Sequence, residues 1–565
     1  MATFDESLQE EKIRELHERE EEELAHMLSS KYGVPYLDLS QSPINTDALR
    51  LIKEEDARAW EVAAFQKIGK KLSLAVRSPD RAETKHAQEE LEKLGYEVTP
   101  IMVSSQSLER AWERYKDLSF SVESKAGVLD ISGEEIKTLL ETLKTLPEAV
   151  SAIKQVLEMK KAYRVSRILE VVLGGALALG ASDIHVEPEE QNVRLRFRLD
   201  GVLTDVLFFD RPTYELLLSR IKLLSGLKLN IKNAAQDGRF SVGIEDTDVE
   251  IRSSVLPGAY GESVVLRILD PKSINVPMEE LGIEPKLWEV LNREIKRPNG
   301  MILNTGPTGS GKTTTLYAFL KKIHTPDIKI ITIENPIEYH LPGIVQTQTE
   351  GKKYTFASGL RSALRQDPDV IMVGEIRDGE VASTAINAAL TGHLVFSTLH
   401  TNTAAGTFPR LIDLGINPKI IGSAVNISMA QRLVRRLKSD YRKEVTLAGH
   451  DKDIVDRILD SIVDKSQIPQ NTTVVYEPTE DGPISYKGRV GIFEAILVDE
   501  EIERLISESP SEREIERAAR AQGILSMAQD GIVKALQGIT SLSELRRIID
   551  LEKISDSVEP REQKG

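Results

Sequence analysis

Apolar positions along the chain fall into two kinds of short run, and each kind predicts a different layer of structure. Val193-Arg194-Leu195-Arg196-Phe197-Arg198-Leu199 alternates strictly and ends in the turn pair Asp200-Gly201, as a half-buried strand should. Leu72-Ser73-Leu74-Ala75-Val76, Tyr96-Glu97-Val98, Val249 to Val255 and Ser263 to Leu269 read as further strands, with Arg252 and Arg267 set among β-formers. Ile330-Ile331-Thr332-Ile333, Val370-Ile371-Met372-Val373 and Leu394-Val395-Phe396-Ser397-Thr398 are nearly continuous apolar runs, the pattern of parallel strands buried on both faces. Residues 5 to 30 are rich in Glu, with Leu8, Leu16, Leu24 and Leu28 spaced as on one face of a charged amphipathic helix.

These patterns divide the 565 residues into five stretches. Residues 1–117 carry the charged helix and a small α/β domain supported by Trp60, Phe65, Trp112 and Tyr115. Residues 118–159 thin into short helical patches and are expected as a linker. Residues 160–271 form a second α/β module, 272–437 the nucleotide-binding core, and 438–565 a polar insertion followed by helices. Beyond Leu437, packing resumes at Gly488-Arg489-Val490-Gly491-Ile492-Phe493-Glu494.

Composition changes the picture in two respects. Seventy-three basic against 89 acidic residues leave a net charge of −16, which disfavours nucleic acid or an anionic membrane as a direct partner. Cysteine is absent, which excludes disulfides and thiolate metal sites. The most apolar stretch, Val171 to Ala181, is interrupted by Gly174 and Gly175 and is too short to cross a bilayer, so a cytoplasmic protein is expected.

The chemistry centres on Gly306-Pro307-Thr308-Gly309-Ser310-Gly311-Lys312-Thr313, a phosphate loop that follows the apolar run Met301-Ile302-Leu303 and leads through Thr314 into a helix. Its glycines let backbone N–H groups turn in around the phosphates of ATP. Lys312 reaches the outer phosphates, and the Thr313 hydroxyl ligates Mg²⁺. Ligands of open parallel sheets sit at the carboxyl ends of the strands. Glu334, Glu375 and His400, each just after a strand, are therefore expected to face the loop, with Glu375 the first choice to orient the attacking water.

Ile333-Glu334-Asn335-Pro336-Ile337-Glu338-Tyr339, Leu364 to Asp378 and Thr391 to Asn402, taken with the phosphate loop, resemble the Asp box, Walker B, His box and Walker A of secretion-superfamily ATPases. Ala181 to Pro188, Gln236-Asp237-Gly238-Arg239, Tyr260-Gly261-Glu262 and Gln431 to Leu437 are similar to the type IV pilus assembly and type II secretion branch. The resemblance implies a RecA-like P-loop core preceded by an α/β (PAS-like) module and a further N-terminal α/β domain. It implies a homohexamer that works from the inner face of the membrane through an inner-membrane platform protein and the pilus or secretion machinery. It also assigns carboxylate roles to Glu334 and Glu338, places His393 and His400 in the His box, and sends Arg252 and Arg267 to the phosphates, with Arg239 as a further candidate.

Three departures stand out. Asn335 replaces the usual Asp, the two Cys pairs that bind zinc after Leu437 are missing, so no zinc site is expected, and the N-terminal region has no clear Arg-Leu-Gly motif for cyclic di-GMP. Pilin polymerisation powered by ATP is the leading expectation, with type II secretion beside it. A nucleic-acid translocase and a non-hydrolysing regulator are the rivals from other classes.

Overall fold

The computed structural model describes residues 21–552, apart from 40–43, 50, 69–70, 118–127, 130–132, 160, 245–246, 271–274 and 481. The chain divides into two compact units, one up to residue 124 and one from residue 125 onward.

In the first unit β1 (Val62–Ile68) pairs antiparallel with β2 (Lys71–Val76), which pairs parallel with β3 (Glu97–Met102). Phe65, Leu72, Leu74, Leu91 and Leu108 fill the core. The aromatic supports close its edges: Trp112 Nε1 donates to the Val62 carbonyl at 3.0 Å and the Tyr115 hydroxyl to that of Ile52 at 3.0 Å. Residues 21–32 are helical, but Leu24 is exposed, and the helix docks instead through Ala25, Ser29 and Glu22. The Glu22 carboxylate accepts from Tyr36 and from Ser104, so polar ties replace the expected leucine face. Leu8 and Leu16 lie outside the described residues.

The second unit begins with a seven-stranded sheet ordered β4-β8-β9-β10-β5-β6-β7. Its strands are β4 (Val128–Leu129), β5 (Asp183–Pro188), β6 (Val193–Leu199), β7 (Val202–Phe209), β8 (Gln236–Ile244), β9 (Thr247–Gly258) and β10 (Gly261–Leu269). Along β6, Val193, Leu195, Phe197 and Leu199 are buried while the three arginines between them are half-buried, as the alternation requires. The segment 118–159 needs correction. Helices Gly133–Thr142 and Leu146–Leu157 bury Ile136, Ile153 and Val156 in the same core, because their apolar residues recur at helical spacing. Gly174 in the long helix Lys161–Ala178 makes that packing close: a Cβ there would come within 2.6 Å of Leu139.

The core sheet runs β13-β12-β14-β15-β11-β16-β19, parallel throughout except for the antiparallel β16/β19 pair. It contains β11 (Gly300–Thr305), β12 (Ile330–Glu334), β13 (Val345–Gln348), β14 (Val370–Val373), β15 (Leu394–Leu399), β16 (Val425–Leu437) and β19 (Tyr486–Leu497); β17 (Arg442–Thr446) and β18 (Val474–Pro478) form a separate two-stranded ladder. The expected boundary at residue 437 therefore cuts through one sheet, since β19 returns along ten residues of β16. Helix Met527–Leu536 is fastened to β19 by a buried ion pair. Asp530 accepts the Phe493 N–H at 2.8 Å, and Lys534 donates to Asp530 at 2.6 Å and to the Gly491 carbonyl at 2.7 Å.

Between β17 and β18, helix Gly449–Asp460 buries Ile454, Val455, Ile458 and Leu459, and Ile462 follows it into the core. Val463, beyond the end of the helix, is 53% exposed. Asp451 is paired with Arg546 at 2.7 Å. Packing, rather than a metal, is expected to hold this segment. Ile458→Ala should lower stability by about 2–5 kcal/mol in denaturant titration. A chelator should leave the wild-type midpoint unchanged, and stoichiometric tightly bound zinc would contradict this account.

Glu544, in helix Leu542–Ile548, lies between two guanidiniums, with Arg435 of β16 at 2.7 Å and Arg547 of its own helix at 2.6 Å. Burial alone would raise its pKa, but the two arginines hold it below the usual carboxylate value of 4.5. The unfolded chain thus binds more protons in this window, so the stabilisation is present above pH 4.5 and is lost as pH falls through the lower folded-state value. Urea titrations across that range should show a shallower acid loss in Glu544→Gln than in wild type.

Candidate functional site

The loop Gly306–Thr313 leaves β11 and enters helix Lys312–Ile323. Gly309 (φ 80°) and Gly311 (φ 90°) adopt left-handed backbone, which glycine takes without cost. The Lys312 ammonium donates to the carbonyls of Gly306 at 2.7 Å and Pro307 at 2.9 Å. Burial, with Arg432 nearby, lowers its pKa to about 8, and Glu375 opposes that shift. Thr313 and Thr314 lie half-buried in the first turn, and the Ser310 hydroxyl is buried without a hydrogen-bond partner. Left-handed glycine backbone, a lysine, a helix N-terminus and an unpartnered hydroxyl together suit a nucleotide polyphosphate.

Glu375 follows β14 at the same edge of the sheet. Its carboxylate pairs with Arg377 at 2.5 Å and His400 Nε2 at 3.3 Å. Burial works to raise its pKa, yet Arg377 and His400 hold it below the usual range, so it is ionised at neutral pH. His400 is brought there by β15, whose end is pinned by Thr305 Oγ1: this oxygen donates to the Leu399 carbonyl at 3.0 Å and accepts from the Thr401 N–H at 2.7 Å. His393 is not part of this group. It precedes β15 at the opposite end of the sheet, hydrogen-bonded to the Ala388 carbonyl, because strand polarity separates the two histidines by the full length of the strand.

Glu334 ends β12 but is only 2% exposed. Tyr317, Thr332 and Gln346 all donate to its carboxylate, and burial raises its pKa. This arrangement makes it a support beneath the edge rather than a group open to water. Glu338, four residues on, is half-exposed and meets Arg252.

Arg252 on β9 stands opposite Arg239 on β8 and Arg267 on β10; Arg267 in turn faces Asp183 on β5, which faces Arg198 on β6. Directly opposite residues share a face, so four arginines and one aspartate form a cross-strand row. Arg252 reaches furthest toward the core, with Nη1 3.5 Å from the Glu338 carboxylate and Nη2 3.1 Å from the Ile337 carbonyl. Arg267 pairs with Asp183 at 2.9 Å, and Arg239 is largely exposed.

Sequence reasoning passed over Asn304, Thr315, Arg377 and Arg432 as site residues, and took Gln431 as a motif without a role. Polar side chains inside apolar runs were the available signal: Asn304 and Thr305 are fully buried in β11, and Gln431 is 2% exposed in β16.

The profile of the family described as "Type II/IV secretion system protein" matches residues 158–547, and that of the "MshEN domain" matches residues 32–121. The type II secretion system ATPase E of Vibrio cholerae serotype O1 is 42% identical over 405 residues, covering 72% of this chain and 79% of that protein. The type IV pilus assembly ATPase PilB of Myxococcus xanthus is 35% identical over 536 residues, covering 93% and 91%. The crystal structure of the pilus retraction motor PilT with bound ADP has 28% identity and a TM-score of 0.45 over 68% of this chain and 97% of the other.

Tyr317→Phe removes one donor from the buried Glu334. It should cost about 1–3 kcal/mol in equilibrium unfolding, since a carboxylate deprived of a partner keeps its desolvation penalty.

Proposed function

The chain belongs to the type II/IV secretion system protein family, and we propose that it is a Mg²⁺-dependent ATPase whose hydrolysis drives movement of the second module against the nucleotide-binding core. The observation that carries this reading is that Glu375, paired with Arg377 and His400, stands at the same carboxyl edge of the sheet as the phosphate loop that holds Lys312. Phosphates would lie on the loop N–H groups, with Lys312 released from the Gly306 and Pro307 carbonyls to neutralise them. Thr313 would hold Mg²⁺, which would supply further neutralisation of the transferred group. Glu375, kept ionised by Arg377 and His400, orients the attacking water. The arginine row of the second module offers the remaining positive charge. Arg252, now on Glu338 and Ile337, leads it, and Arg267 and Arg239 share its face.

Pilin polymerisation in a type IV pilus is the mechanical output we assign, performed by a homohexamer bound to an inner-membrane platform protein. Type II secretion is the second reading, supported by the 42% identity to the Vibrio protein. Complementation of strains lacking either ATPase would separate the two. Among the described residues no helix is long and apolar enough to cross a membrane.

Lys312→Ala should abolish tight nucleotide binding. Glu375→Gln should bind normally but lose about 10²–10⁴-fold in turnover, measured as steady-state phosphate release; near-normal turnover would remove Glu375 from this role. For Arg252→Ala, hydrolysis should fall by up to about 10³ with little change in melting temperature. Arg267→Ala should fall in the same direction, and unchanged rates in both variants would dismiss the arginine row.

A further inference from the structure

The phosphate loop is gripped from behind by a residue more than a hundred positions away. Gln431, on β16, is 2% exposed, and its Oε1 accepts from Asn304 Nδ2 at 2.9 Å and from Thr315 Oγ1 at 2.8 Å. Asn304 lies two residues before the loop in β11, and Thr315 lies four residues after Gly311 in the helix. One amide oxygen therefore ties both stems of the loop to the neighbouring strand.

The rest of Gln431 presses on the loop itself. A Cβ at Gly311 would come within 2.8 Å of its Nε2, and a Cβ at Gly306 within 2.7 Å of its main-chain oxygen. That main-chain oxygen also accepts from Arg432 Nη1 at 3.0 Å, while Arg432 Nη2 donates to the Asn402 carbonyl beyond β15 at 3.0 Å. The two glycines at the ends of the loop are thus required by close approach to a single side chain and its backbone, in addition to their positive φ.

We propose that Gln431 is a positioning residue for the phosphate loop: it sets the separation of the β11 and helix stems, and so the aim of the N–H groups and of Lys312, through Asn304 and Thr315. The inference rests on the reading of this loop as a nucleotide site and does not depend on hydrolysis. Strand β16 is also the partner of β19, so the loop geometry is referred to the C-terminal helices through one buried amide.

The test is MgADP affinity of the full chain by calorimetry, well below the melting temperature. Gln431→Met preserves length and removes the amide, and Thr315→Val preserves shape and removes the hydroxyl. Thr315→Val, which breaks one buried hydrogen bond, should weaken MgADP about tenfold, and Gln431→Met, which breaks two, at least as much. The double variant should be no weaker than the weaker single, since both changes break the same tie. Ile427→Val, on the same strand but away from the loop, should lower stability without changing affinity.

Affinity within about twofold of wild type in Gln431→Met, or additive losses in the double variant, would overturn the proposal. If Gln431→Met does not fold, Thr315→Val decides alone, and unchanged MgADP affinity there overturns it. A wild-type chain that binds MgADP but releases no phosphate from ATP would instead defeat the hydrolytic reading and leave this inference standing.

Discussion

Everything at the site depends on β11 being paired in parallel on both sides. Its register sets Thr305 opposite Leu399 of β15 and Ala430 of β16, so the chain leaves β11 into the phosphate loop at the level where β15 delivers His400 and β16 delivers Gln431. Parallel ladders give all these strands one polarity, and polarity decides which ends meet. A shift of one residue in either pairing would turn Asn304, Thr305 or Gln431 to the other face of the sheet. Thr305 resists that slip by donating to the Leu399 carbonyl at 3.0 Å, and Ser397 Oγ and Thr398 Oγ1, donating to the Val373 and Gly374 carbonyls at 2.7 Å each, hold β15 on β14.

Buried charge is used differently in the scaffold and at the edge. In the scaffold several buried carboxylates are matched by cations. Glu262 is met by Lys222 at 2.7 Å, Asp530 by Lys534 and Glu544 by two arginines. Such pairs specify which elements meet, because a buried charge without its partner is strongly penalised. At the edge, Glu375 is held ionised by Arg377 and His400, both exposed. The arginine row on the second module is paired with Asp183, Glu250 and Glu338.

The region after residue 437 adds a strand to the core sheet. Strand β19 closes the sheet on β16, and helix Met527–Leu536 is tied to β19 through Asp530 and Lys534. The polar excursion from 438 to 485 leaves the sheet and returns to it, held by the apolar face around Ile454 and Ile458. Movements of this region therefore bear on the strand that backs the phosphate loop.

Local pattern determined a great deal by itself. Continuous apolar runs marked β12, β14 and β15, strict alternation marked β6 residue for residue, and the glycine spacing marked the phosphate loop, because each is a property of a few adjacent residues. Polarity of the parallel strands was enough to bring Glu375 and His400 to the loop, and the same rule, applied to the other end of β15, excludes His393. What depended on partners distant in sequence was decided by tertiary structure. Helices 133–142 and 146–157 look like linker until the sheet they cover is present. Arg252, Arg267 and Arg239 become one row only when β8, β9 and β10 are in register. Glu334 differs from Glu375 through its partners, the Tyr317, Thr332 and Gln346 donors in place of Arg377 and His400. Gln431 acquires a role only when β16 lies beside β11, since a hydrogen bond across more than a hundred residues leaves no local periodicity to read.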